Sequence, residues 1–354
     1  MAGTSPAMTL ERWFDMTVRM GWREFDLVVI AAGCSALLIM LLLPMFRRYA
    51  LARPNARSSH RIPTPQGGGA AVILAVAIAL GADGALIEPQ RSALIDVLPL
   101  GAAIALVTIV GAIDDIFPIA PMWRLAVQAV AVILTVSTMP AELRAMPVVP
   151  IAIERAAEIV AGLWFVNLVN FMDGIDWMTV AEAVPSTLSI FVFALFGAAP
   201  PLAGSVALAL CGALLGFAPF NRPVAKLFLG DVGSLPVGLL LFWLLLELAG
   251  SGHPAAAMLL PLYYVADSSI TLLRRLARGE RITEAHRTHF YQLAVARGLS
   301  VMTVVRSVFA VNLVLAVLAA LSIRISSAAF DLLALAGGGA LVTALLVMMW
   351  RGKL

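Results

Sequence analysis

"AAEIVAGLWFVNLVNFMDGID", Ala156 to Asp176, decides the fold. Its first fifteen residues are apolar enough to enter a membrane, yet the run closes on two carboxylates, Asp173 and Asp176, around Gly174. A lipid-embedded helix keeps such charges only where it meets an interface or a functional site. The rest of the chain supports the membrane reading. Hydrophobic residues make up 61% of the 354 and charged residues 13%, with a mean hydropathy of +0.97. A soluble protein of this length has no use for that much apolar surface. Since a helical span takes roughly 20 apolar residues, the apolar content is consumed by about eleven spans.

The apolar runs lie near Phe25–Phe46, Gly68–Ile87, Leu94–Ile113, Met122–Met139, Ala156–Asn170, Val180–Gly197, Leu202–Phe220, Ser234–Ala249, Pro254–Leu273, Met302–Ile323 and Ala328–Trp350. The second, fifth and eighth are short or interrupted by polar residues, so the range is ten or eleven. The expected fold is an all-α, polytopic membrane helix bundle of about 11 transmembrane helices, one integral-membrane domain over residues 1–354. Both cysteines, Cys34 and Cys211, fall inside apolar runs and read as small hydrophobic packers.

Lys and Arg favour the cytoplasmic side. With eleven spans and an outside N-terminus, seventeen basic residues collect inside, including Arg47–Arg61, Arg124, Lys226 and Arg274–Arg306, against seven outside. The N-terminus is therefore expected in the periplasm and the C-terminus in the cytoplasm. No signal peptide is expected, because a polar segment precedes the first run and no convincing small-residue cleavage site follows it. This topology gathers "IDDIFPIAP" (Ile113–Pro121), "NLVNFMDGID" (Asn167–Asp176), "KLFLGDVGS" (Lys226–Ser234) and "RRLARGERITEAHRTHFYQ" (Arg274–Gln292) at one face. Asp114, Asp115, Asp173, Asp176 and Asp231 would repel one another there unless something cationic intervened. Carboxylates and an amide oxygen suit Mg2+, or Mn2+, rather than zinc. Mg2+ is usually completed by substrate phosphates, so a phosphate ester substrate is expected. Arg124, Lys226, Arg274, Arg275, Arg287, His286 and His289 could hold a diphosphate on this face. Gly174, Gly230 and Gly233 would permit close backbone approach to a ligand.

At these residues the chain resembles the polyprenyl-phosphate N-acetylhexosamine-1-phosphate transferases, on five segments in the family's order: "NARSSHRIPTPQGGG" (Asn55–Gly69), "GAIDDIFPIAPMWRLAVQ" (Gly111–Gln128), "NLVNFMDGID", "FLGDVGSLPVG" (Phe228–Gly238) and "EAHRTHFYQ" (Glu284–Gln292). The resemblance implies transfer of a sugar 1-phosphate from a UDP-HexNAc donor to undecaprenyl phosphate, with Mg2+ and release of UMP. This would start a lipid-linked cell-envelope glycan in the bacterial inner membrane, with the active site facing the cytoplasm. It implies Asp231 and Asn170 as metal ligands, and Asp114 and Asp115 as a pair that either prepares the acceptor phosphate or attacks the donor covalently. The first is preferred, because a phosphate monoester is already largely dianionic at neutral pH. Asp173 and Asp176 complete the catalytic set, one of them open to a purely orienting role. Asn167, His286, Arg287, His289, Lys226 and Arg274 form the expected substrate-binding set, Asn167 being equally open to an interhelical hydrogen bond.

Two positions depart from the family pattern. Trp177 replaces the usual glycine after "DGID", and Gln66 stands where a basic residue is common. The "AHRTHFYQ" motif is similar to that of the O-antigen and enterobacterial common antigen branch; the muramoyl-pentapeptide branch is the alternative. From another class, a secondary transporter would show repeats or broken midplane helices. No nucleic-acid partner is expected; a homodimer is one option. The roles of His60 and of Asp267, seven residues before Arg274 on the same helical face, are left open.

Overall fold

A computed structural model describes residues 10–52, 63–86, 91–280 and 286–353. Thirteen helices appear among them: α1 (Leu10–Tyr49), α2 (Gly68–Leu86), α3 (Arg91–Ile116), α4 (Pro121–Ser137), α5 (Ile151–Met172), α6 (Met178–Leu195), α7 (Pro201–Phe217), α8 (Asp231–Gly250), α9 (Pro254–Leu259), α10 (Leu262–Ala277), α11 (Phe290–Ala296), α12 (Val301–Ile325) and α13 (Ala328–Arg351). The only strands among the described residues are β1 (Leu51–Ala52) and β2 (Thr64–Pro65), an antiparallel pair. The fold is all-α and polytopic. Six helices, or long parts of them, have the length and composition to cross a membrane: Trp22–Tyr49, Leu98–Ile116, α6, α8, α12 and α13. Gly68–Gly84, α4 and α7 are shorter apolar helices.

The helices start and stop where local chemistry allows. Proline opens α4, α7 and α9 at the first turn, where its missing N–H costs nothing. Ser300 Oγ accepts from Thr303 N at 3.0 Å and caps α12. The apolar run Pro254–Leu273, read from sequence as one span, is divided: α9 stops at Leu259 and α10 begins after Pro261. A proline inside a helix lacks the N–H for the ladder and crowds the preceding turn.

Helix α8 is the centre. Every residue from Val232 to Ala249 is buried, which fits a helix that is apolar all round. It packs against α2, α3, α5 and α9, while α1, α2, α6 and α7 form an adjoining layer. Long apolar side chains such as Leu41, Ile109, Val317 and Leu332 face outward from α1, α3, α12 and α13, as a lipid-facing surface requires.

The charges at the start of α5 are part of a clamp on the segment after α4. Glu154 has no exposed surface; it pairs with Arg144 and accepts from Met146 N at 2.8 Å. Arg155 pairs with Glu158 at 2.8 Å and donates to Pro140 O at 2.8 Å. An orphaned buried charge costs roughly 3–5 kcal/mol. Arg144→Ala should therefore destabilise by about 2–3 kcal/mol, less than that range because the Met146 N–H remains. Thermal unfolding in detergent reads this, and an unchanged midpoint would mean the clamp contributes nothing.

Candidate active site

The site forms where the ends of α3 and α5 meet the start of α8. Asp115, at the end of α3, accepts from Asp231 N at 2.9 Å through Oδ1 and from Val232 N at 3.1 Å through Oδ2. These are orphan donors of the first turn of α8, so Asp115 caps that helix from another element. The preceding residue, Gly230, has φ +76°, and a Cβ there would lie 2.4 Å from Asp115 Oδ2. Glycine is needed both for the turn and for the contact. Asp114 accepts from Ile119 N and from Arg124 Nη1, each at 2.6 Å. The same Arg124 nitrogen lies 3.1 Å from Asp231 Oδ2.

Asn170, on the last turn of α5, donates through Nδ2 to Asp231 Oδ1 at 2.7 Å and to Ser234 Oγ at 2.8 Å. Its amide oxygen is thereby the atom left to meet a ligand. Asp231 thus collects Asn170, Arg124 and, through its own N–H, Asp115. The Asp231 side chain keeps 25% of its surface exposed against 10% for Asp114, so it is the more open of the two to an incoming ion. Among the described residues no group of three or more His, Cys, Asp or Glu forms a ready-made metal cage. An open carboxylate beside an amide is instead the donor set that fits Mg2+, which takes few protein oxygens and fills the rest with water and phosphate.

Beyond α5 the chain turns through Asp173–Trp177. Asp173 accepts from Thr179 Oγ1. Burial pushes its carboxyl up to about 7, opposed by the Thr179 bond and reinforced by the Asp231 and Asp176 charges. Asp176 is buried and accepts from Ala225 N at 2.9 Å, pinning the segment that leads into α8. Trp177 adopts φ +64°, which explains why glycine suits this position. The indole offsets the strain by donating from Nε1 to Ala218 O at 2.6 Å, while Trp177 N donates to Asn221 Oδ1 at 2.7 Å. Gln66 donates from Nε2 to Asp115 O at 2.6 Å. The backbone around it pairs with the α8 approach, Phe228 N to Pro65 O at 2.8 Å and Gly69 N to Leu229 O at 2.8 Å.

The expected substrate-binding residues divide. Asn167 gives its amide N–H groups to Gln128 Oε1 at 2.7 Å and Leu163 O at 2.8 Å, the first of them an interhelical bond to α4. Arg274 places its guanidinium 4.3 Å from the Trp350 ring centre and 5.1 Å from that of Phe290. That cation–π packing fastens α10 to α11 and α13. Lys226 and Arg287 are exposed. His286 and His289 have ring centres 4.9 Å apart. Burial, with the neighbouring His289 and Arg275, pulls His286 down to about 4, so it is a neutral hydrogen-bonding group at physiological pH. The glycines expected to admit a ligand admit protein: a Cβ on Gly174 would meet Tyr291 Oη at 2.0 Å, and one on Gly233 would meet Gly69 Cα at 2.4 Å. His60 and Arg281 lie outside the described residues. Arg124, expected on this face as a cation for a diphosphate, lies between the Asp114 and Asp231 carboxylates, and Ser234 is the contributor that sequence reasoning did not single out.

Comparison with known proteins bears on this geometry. Residues 97–249, which contain the α3 carboxylates, Asn170 and Asp231, match the model of Glycosyl transferase family 4. A probable undecaprenyl-phosphate N-acetylglucosaminyl 1-phosphate transferase of Bacillus subtilis is 26% identical over 288 residues, covering 77% of this chain and 78% of that protein. A decaprenyl-phosphate N-acetylglucosaminephosphotransferase of Mycobacterium leprae is 31% identical over 255 residues, 64% of this chain and 62% of the relative. A phospho-N-acetylmuramoyl-pentapeptide-transferase of Limosilactobacillus fermentum is 36% identical over 110 residues, about a third of each chain (31% and 33%).

Proposed function

The chain belongs to Glycosyl transferase family 4, and from that premise we propose that it moves a HexNAc 1-phosphate from a UDP-sugar to undecaprenyl phosphate and releases UMP. The observation that carries the proposal is the convergence of Asp114, Arg124 and Asn170 on the open carboxylate of Asp231. N-acetylglucosamine is the favoured sugar, because the relatives named for it align over far more of the chain than the pentapeptide transferase does. The product would be the first lipid intermediate of a cell-envelope glycan such as O-antigen.

In the proposed reaction an acceptor phosphate oxygen attacks the sugar-bearing phosphorus in line. One P–O bond forms, the bond to UMP breaks, and no protein group is consumed. Such a transfer asks the protein for alignment and charge neutralisation. Asp231 and Asn170 would hold Mg2+, which would neutralise the phosphate oxygens. Arg124 holds Asp114 and Asp231 together without leaving their charges unopposed. Asp114 and Asp115 are read as positioning groups, supported by the donors already on both oxygens of each. His286 and His289 would hydrogen-bond the donor diphosphate. Purified protein given UDP-GlcNAc, undecaprenyl phosphate and Mg2+ should yield lipid-linked sugar and UMP in equal amounts. UDP as the released nucleotide would contradict the reading. Turnover of UDP-MurNAc-pentapeptide in preference would favour the other branch.

Topology follows the distribution of basic residues, which supports eleven spans with the site at the cytoplasmic face of the inner membrane. A cysteine at the exposed Arg278, in a background lacking Cys34 and Cys211, should resist membrane-impermeant thiol reagents in intact cells and react after lysis. Labelling in intact cells would invert the topology.

The Asp173 carboxyl sets a pH dependence. Its value in the fold, about 7, stands above the ordinary 3.8. The proton it gains on folding therefore stabilises the metal-free protein fully below about pH 4, and that contribution is lost as pH rises through about 7. A cation bound at Asp231 favours the ionised form. Mg2+ affinity, read by its effect on thermal stability, should thus rise between pH 6 and 8 by roughly the factor of a single displaced proton. Asp173→Asn should flatten that rise; an equally steep profile in the variant would count against it.

A further inference from the structure

Asp267, in the middle of α10, has no exposed surface. It is nevertheless surrounded by donors from three places. Thr271 Oγ1 lies 3.2 Å and Tyr263 Oη 3.3 Å away within α10. The first amides of α11, Phe290 N and Tyr291 N, lie at 3.1 and 3.2 Å. His289 Nδ1 approaches Oδ1 at 3.1 Å. Backbone amides can only donate and both hydroxyls are oriented as donors, so the carboxylate acts as an acceptor throughout. With the carboxylate as acceptor, the His289 contact assigns its hydrogen to Nδ1 and leaves Nε2 as the ring's other nitrogen.

The same histidine stands beside the catalytic turn. Its ring centre is 6.4 Å from that of Phe171, and it stacks on Tyr291 at 5.7 Å. Tyr291 Oη donates to Phe171 O at 2.9 Å, and the absence of a Cβ on Gly174 makes room for that hydroxyl. Helix α11 is thereby locked to the end of α5 at Phe171, one residue after Asn170 and two before Asp173, with Asp267 setting the rotation of the imidazole.

We propose that Asp267 is a positioning residue for the transfer reaction: it fixes the orientation of the His289 ring, with its hydrogen on Nδ1 and Nε2 as the atom that would meet the donor. The inference rests on the reading that His289 serves the diphosphate. Carboxylate–imidazole pairs orient the ring and fix which nitrogen carries the hydrogen. Asp267 would act through His289 alone and touch neither substrate.

Two measurements on the full-length chain in detergent test it. The sequence has four histidines, His60, His253, His286 and His289, so single His→Gln variants assign each side chain in 15N-histidine NMR. His289 should carry a hydrogen on Nδ1; a bare Nδ1 would overturn the proposal whatever the reaction is. In the assay with UDP-GlcNAc and undecaprenyl phosphate, Asp267→Asn should lower kcat by about 10- to 100-fold, the usual cost of losing an orienting partner. Donor KM should stay within about threefold. In a His289→Gln background the same change should cost less than about threefold. A purely structural role in starting α11 predicts the full loss in both backgrounds, and that result sinks the inference while the transferase reading stands. No product from the unmutated protein would defeat the transferase reading itself and the catalytic part of this inference with it.

Discussion

Asp231→Asn should lower turnover by about 10³-fold, the scale of removing one preorganised charge from the transition state. The substitution keeps an oxygen that can accept the Asn170 N–H. It replaces the other carboxylate oxygen, which faces Arg124 at 3.1 Å, with a second donor. The helix start is retained, because the Asp231 backbone N–H still reaches Asp115. Folding should therefore survive, as a thermal midpoint within a few degrees and a monodisperse elution profile would show. A variant keeping a tenth or more of wild-type turnover would remove Asp231 from the metal-holding role. Excess EDTA should abolish wild-type activity and Mg2+ should restore it; full activity in EDTA would be equally damaging.

Asp115→Ala should damage both the fold and the reaction. It leaves the N–H groups of Asp231 and Val232 without their acceptor, a loss worth about 1–2 kcal/mol by analogy with a helix N-cap. It also frees the carboxylate-bearing end of α8 to move, and misplacement by about 1 Å can cost on the order of 10²-fold in rate. The expected result is a lowered thermal midpoint together with about a 10²-fold fall in kcat, with donor affinity changed less. As a nucleophile, Asp115 would first have to surrender both backbone hydrogen bonds. A hydroxylamine-sensitive phosphosugar on the protein, or UMP released from UDP-sugar without lipid, would overturn the single-displacement account.

Much of this site was legible because its residues interrupt apolar runs. A carboxylate at the end of a membrane helix stands out against leucine and valine, as Asp173 and Asp231 do, whereas Asn170 was singled out by the family resemblance. What they touch was not legible. Arg124 and Asp231 are 107 residues apart and Asp115 caps a helix 116 residues on; no local periodicity encodes such pairs. Charge alone suggested Arg274 for phosphate; its packing on the ring of Trp350, brought over by α13, was not legible. The break at Pro261 was written in the sequence, but a hydropathy window averages a proline into its neighbours. Trp177 was visible as a departure, and only the backbone shows that the position needs a left-handed residue. Asp267 was visible as a charge in an apolar run two turns from an arginine; its partner, His289, lies 22 residues on, at the start of α11.

The most direct test of the central claim follows the phosphorus. UDP-GlcNAc labelled with 32P in the β-phosphate, incubated with the purified protein, undecaprenyl phosphate and Mg2+, should pass its label to the organic-soluble lipid, while the released nucleotide is unlabelled UMP. Label that leaves with the nucleotide as UDP, with a sugar-bearing but unlabelled lipid, would show transfer of the bare sugar and contradict the account.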